Sequence, residues 1–194
     1  KRVVKIDINL KSTKLFLKTP KERVITKTEN WNNYVEPCIN NNAEQQIDLL
    51  KILYNSKPEL MYTESSKSFV QKKWYILYNQ IKQKIISYKS QDKKKHKYTS
   101  EKFVDIDYVL KKLVDSELIC FYCKSQVLVW YKIARESTQW TLERISNDEG
   151  HNIGNVEIAC LSCNIRRRVM YFEKYRFTKQ LAVKKLDYIE TPKC

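Results

Sequence analysis

WTLERISNDEGHNIGNVEIACLSCNIRRR, residues 140–168, decides how this chain is read. It holds both glycines of the 194-residue chain, one of its two histidines, and a Cys-x-x-Cys pair followed directly by an asparagine. Trp140 to Ile145 is β-branched and aromatic and reads as a strand. Asn147–Asn152 reads as a loop, in which Gly150 and Gly154 permit a tight path around His151. Val156–Ala159 reads as a second extended segment, and from Leu161 onward the residues favour a helix.

The cysteines extend the reading outward. Cys160-Leu-Ser-Cys163 matches an earlier pair, Cys120-Phe-Tyr-Cys123, with residues 124–159 between them. A Cys-x-x-Cys turn points both sulfurs at one ion, and two such turns close a tetrahedral four-cysteine site. Four thiolates leave no open coordination position, so the expected ion is a structural Zn2+ that staples a module with little glycine. Cys38 and Cys194 have no partner by spacing and read as free thiols.

With these residues in place the stretch resembles the zinc-containing HNH endonucleases of the ββα-metal finger fold. It is most like a branch with a Leu-Asp-Arg-Ile-Asp pattern ahead of Cys-x-x-Cys-Asn, found among phages and large DNA viruses. The resemblance covers about residues 118–170 and matches Cys120, Cys123, Glu143, Asn155, Cys160, Cys163 and Asn164. It implies hydrolysis of phosphodiester bonds in DNA with a catalytic Mg2+ or Mn2+. Glu143 and the Asn164 amide oxygen would be its protein ligands, and Asn155 would hold the loop. Such an ion stabilises developing charge and keeps most of its water.

Three positions depart from the pattern. Glu143 stands for the usual Asp, Ser146 for the second acid, and Arg144 where the general-base His commonly sits. If an imidazole activates water, His151 is the candidate, because His96 lies outside the motif. Arg144 is then left to bind the scissile phosphate or to face solvent. Arg166, Arg167 and Arg168 are expected on a helix face toward phosphate. Two rival readings stay open: a catalytically inactive HNH-like zinc module that binds DNA, and a ribonuclease using the same site.

The rest of the chain supplies charge. The net charge is +15, and residues 1–100 hold 21 Lys and Arg against 9 Asp and Glu, while residues 101–194 hold 16 against 13. A field of that size attracts polyanions. The expectation is an α+β protein in two parts: a basic strand-and-helix module at 1–98, and a zinc-stapled nuclease module at 99–194. Within the first, residues 3–10 alternate as a strand, with 15–17 and Val24-Ile25 as short partners. Residues 27–42 read as a loop and Ala43–Tyr54 as a helix.

Val70, Trp74, Leu77, Ile81, Ile85 and Tyr88 form one apolar stripe on a helix from about 67 to 89. Lys72, Lys73, Lys82 and Lys84 lie off it, toward water or phosphate. Residues 91–97, with Lys93, Lys94 and Lys95, read as a basic nucleic-acid-binding linker, Ser100–Ser116 as a helix, and Val127–Ile133 as a strand. No apolar run is long enough to span a membrane. Nothing at Lys1–Lys5 resembles a signal peptide, and the cysteine usage points to a reducing intracellular compartment rather than secretion.

Overall fold

The computed structural model describes residues 21–35, 43–56 and 69–181. The expected strands at 3–10 and 15–17, residues 36–42, Cys38 and Cys194 lie outside them. The described residues combine helix and strand. In chain order they form a 3-10 turn (Val24–Lys27), α1 (Glu29–Tyr34), α2 (Ala43–Asn55), α3 (Phe69–Lys94), α4 (Ile106–Asp115), β1 (Trp140–Arg144), β2 (Val156–Cys160), α5 (Leu161–Arg167) and α6 (Phe172–Gln180). No described helix is long and apolar enough to cross a membrane.

β1 and β2 pair antiparallel, with Trp140 opposite Cys160, Leu142 opposite Ile158 and Arg144 opposite Val156. α5 begins at the residue after β2, with Cys160 as its N-cap. Both strands are buried along nearly their whole length, because helices cover them where a half-exposed hairpin would meet water.

The helices owe their ends to local chemistry. Thr28 caps α1, its side chain accepting from Trp31 N at 3.3 Å. Part of the stretch expected as loop is therefore helical, since Trp31 and Val35 share one face and are both buried. Asp105 caps α4 by accepting from Tyr108 N at 2.7 Å, so that helix starts at Ile106 and not near Ser100.

Two expected strands are not strands. Val24 lies in the 3-10 turn and is exposed; only Glu22 bridges to Ile133. In 127–133 the buried side chain of Gln46 takes the place of a ladder partner. Its Oε1 accepts from Val129 N and Trp130 N at 2.9 and 3.1 Å, and its Nε2 donates to Trp130 O at 3.2 Å. Val129, Trp130 and Tyr131 are consecutively buried, which the two-residue period of a strand does not permit against a single core face.

α3 departs furthest from expectation. It runs through Lys94, so most of the basic linker is its last turns. Lys93 and Lys94 there complement the negative end of the helix dipole. Leu77 and Ile81 are buried as expected, but Val70 is exposed and Lys73 is buried. The core joins Trp31, Leu50, Leu53, Leu77 and Ile81 to Val109, Leu113, Trp130 and Trp140 in a single cluster. It thus draws on both sides of the expected boundary at 98.

Candidate functional site

The four cysteines come together. One ligand atom from each of Cys120, Cys123, Cys160 and Cys163 lies within 4.8 Å of the others. Cys123 and Cys160 sulfurs are 3.9 Å apart, too far for a disulfide of about 2.05 Å. That spacing matches the S···S edge, about 3.8 Å, of a tetrahedron with Zn–S bonds of about 2.3 Å. Backbone N–H groups point at the sulfurs: Cys160 N donates to Cys120 and Cys163 N to Cys160, each at 3.3 Å. The Cys160 side chain's hydrogen bond is the main reason the Cys120 thiol is pulled down to about 4. The donor set fits a soft, four-coordinate cation such as zinc.

A cleft of about 440 Å3, reached from the cysteines through Leu161 and Asn164 of α5, is lined among others by Lys84, Tyr88, Glu143, Arg144, His151 and Asn164. The face of β1 supplies Glu143, the first turn of α5 supplies Asn164, and the glycine loop supplies His151. Asn164 directly follows Cys163. Its Nδ2 donates to Thr141 Oγ1 at 3.2 Å and to Leu142 O at 3.4 Å. The amide oxygen is therefore the end left for the cleft.

Glu143 is buried, and its Oε1 takes the Arg167 guanidinium and, at 3.4 Å, the Tyr122 hydroxyl. Burial raises its pKa, against the pull of Arg167. Arg167 is correspondingly not on a phosphate-facing surface. It is 2% exposed, donating also to Arg144 O at 2.5 Å, Ile145 O at 2.8 Å and Met170 O at 2.9 Å. An α-helix turns about 100° per residue, so three consecutive arginines cannot share a face. Arg166 and Arg168 are exposed, and Arg168 reaches the cleft. Lys93, Lys94 and Lys95 are exposed, with Lys95 at the cleft and Lys93 over the Tyr98 ring.

The loop is built around Asn155. Its Oδ1 accepts from Ser146 N at 2.8 Å, and its Nδ2 donates to Ser146 O at 3.1 Å and Gly150 O at 2.9 Å. Arg144, at the position where a base histidine was looked for, is half-buried and donates to Glu149 O at 3.1 Å.

His151 is buried, and its imidazole is gripped from α3. Asp92 Oδ1 and Oδ2 lie 2.9 and 3.0 Å from Nδ1, and Oδ2 also accepts the His151 backbone N–H at 2.6 Å. The Tyr88 ring stacks on the imidazole, centroids 4.4 Å apart. Burial lowers the histidine's pKa and outweighs the charge of Asp92; Arg144 and Lys95 depress it further. The shift favours the neutral ring. With Nδ1–H donated to Asp92, its lone pair sits on Nε2.

Reading the sequence misses Asp92, and takes Tyr88 and Lys84 only as part of an apolar stripe and as a cation off it, toward water or phosphate. The three recur every four residues along α3, which places them on one face. Tyr88 Oη accepts from Leu142 N at 3.1 Å, and Lys84 Nζ reaches Trp140 O. The signal present was a single acid, Asp92, inside an otherwise cationic run. Gly150 records the same contact from the other side. A Cβ there would strike Lys97 O and come within 2.8 Å of Asp92 Oδ2.

Comparison of the chain with family models, with curated proteins and with solved structures finds no match.

Proposed function

We propose that the chain is a metal-dependent endonuclease of the HNH type that hydrolyses phosphodiester bonds in DNA. The observation that carries this reading is the cleft in which a carboxylate-held imidazole meets two oxygen donors inside a strongly cationic protein. In this reading β1, β2 and α5 make a ββα-metal finger, and Cys120, Cys123, Cys160 and Cys163 hold one Zn2+ that fixes Asn164 in place. The basic residues up to 98 hold the nucleic acid, and residues 99–194 contain the reacting groups.

The roles follow from the donor set. A bound Mg2+ or Mn2+ would supply Lewis-acid stabilisation of the phosphate. Glu143 Oε2 and Asn164 Oδ1 are the oxygens that would hold it. His151 Nε2 accepts a proton from the attacking water, and Asp92 stabilises the imidazolium that results. Arg144 and Arg168 are cations at the cleft for the phosphate oxygens. The Arg167 ion pair keeps Oε1 of Glu143 occupied and its carboxylate turned in one direction.

That same ion pair favours a second reading, a binding module without catalysis, because a carboxylate neutralised by arginine is a poorer metal ligand. Plasmid nicking decides between them. The full chain, with zinc present, should nick supercoiled DNA only when Mg2+ or Mn2+ is added, and Asn164→Ala should stop it while leaving zinc content unchanged. A parent chain that binds DNA but never cuts DNA or RNA with either ion leaves the binding module standing.

A further inference from the structure

The ammonium of Lys84, on a half-buried side chain, stands out from the charges around it. Buried cations are ordinarily met by a carboxylate, since an unpaired charge away from water is costly. Asp92 meets His151 and Glu143 meets Arg167. Lys84 has no such partner among the described residues. Its Nζ donates to Trp140 O and, at 3.2 Å, to Gln139 Oε1. It sits 4.4 Å from the Trp140 ring centroid and 5.4 Å from that of Tyr131. All four contacts are neutral. Burial, then the charge of Arg23, pushes the ammonium down to about 7, the behaviour of a cation short of negative charge.

Its position gives the shortage a use. A second cleft, of about 380 Å3, lies nearer the N-terminal end of α3 and is lined by Arg23, Gln80, Gln83, Lys84 and Ser87 among others. Lys84 and Ser87 line both clefts. A chain of phosphates seated at His151 and Asn164 and continuing toward Arg23 passes over Lys84.

We propose that Lys84 forms a phosphate subsite, gripping the substrate backbone where it leaves the reaction cleft toward Arg23. The proposal rests on the reading that the cleft takes nucleic acid, and it assigns the strand a direction along α3, toward its N-terminal end. The anion supplies the charge that the protein withholds. Trp140 and Tyr131 keep water from the contact, which strengthens it. The pairing is with phosphate and carries no base preference.

Binding of a short DNA duplex to the full, zinc-containing chain, followed by fluorescence anisotropy with Mg2+ and Mn2+ omitted, tests this without catalysis. Lys84→Gln should weaken binding by about ten-fold or more. It should also lower the slope of log affinity against log salt by about one. Lys82→Gln, exposed on the same helix, should do less. Equal affinity and slope for parent and Lys84→Gln overturn the subsite, as does a loss no larger than that of Lys82→Gln.

Lys84→Met keeps the aliphatic stem over Trp140 and replaces Lys84→Gln if the latter does not fold. If neither folds, the parent decides. Inorganic phosphate should move the Lys84 side-chain NMR signal before that of Lys82, and the absence of that preference overturns the proposal. A chain that never cuts but loses its grip in Lys84→Gln keeps the subsite and loses the hydrolase. A chain that cuts while Lys84→Gln binds like the parent does the reverse.

Discussion

The two halves of α3 have similar periodicity and different uses. From Lys73 to Ile81 the inward residues include Ile76, Leu77 and Ile81, packed into the core with Trp31 and Leu50. From Lys84 to Asp92 Ile85 still packs against the core, but Lys84, Tyr88 and Asp92 are bonded to β1, to the residue before it, or to the glycine loop. The first half stabilises by area removed from water. The second adds to that packing through Ile85 and Tyr88 and also sets the position of neighbouring groups. A helical stripe therefore reports which face is inward but not whether that face meets a core or a site.

Removing the cysteine cluster should break this contrast most, because it removes what the second half faces. Cys163→Ser should abolish zinc binding and unfold β1, β2 and α5, structural zinc being worth about 10–16 kcal/mol in small domains. Zinc content and circular dichroism are the measurements. A folded Cys163→Ser protein with native near-ultraviolet signal counts against a structural metal.

Arg167 comes next. Arg167→Ala strands Glu143 as a buried charge and should cost about 3–5 kcal/mol in urea unfolding. Arg166→Ala, one residue away and exposed, should stay within about 0.5 kcal/mol. Equal effects would put Arg167 on the surface after all.

The two halves of α3 should then separate by assay. Leu77→Ala should cost about 2–5 kcal/mol of stability and leave the cleavage rate unchanged at temperatures where the variant is folded. Asp92→Asn should do the opposite, with a modest loss of stability and a rate lower by up to the factor of about 10²–10⁴ that a general base contributes.

The smallest effect is a shift in pH. The imidazole must be unprotonated to accept a proton, and burial depresses its pKa, so activity should persist below the ordinary histidine range and fall as pH drops through the depressed value. Asp92 raises that pKa, so Asp92→Asn should move the acid limb lower still. An acid limb that stays in place shows that Asp92 does not act through His151.

What could be read from the chain was local. Each Cys-x-x-Cys turn, the strand–loop–strand–helix order of residues 140–168 and the loop around Asn155 depend on spacings of a few residues, and covalent geometry carries such spacings into three dimensions almost unchanged. Within α3 the periodicity placed Leu77 and Ile81 inward for the same reason. Composition misled where a partner was distant. Residues 91–97 read as a basic linker because six of the seven are polar or cationic and the seventh is Asp92, whose partner is 59 positions away.

The sequence by itself thus determined a metal-competent cysteine cluster and the candidate donors around it. Only the tertiary structure decided that Asp92 holds His151, that Arg167 faces inward to Glu143, and that Lys84 meets no carboxylate among the described residues. Each of those depends on long-range packing that removes water from a charge, and burial of that kind leaves no trace in the spacing of residues along the chain.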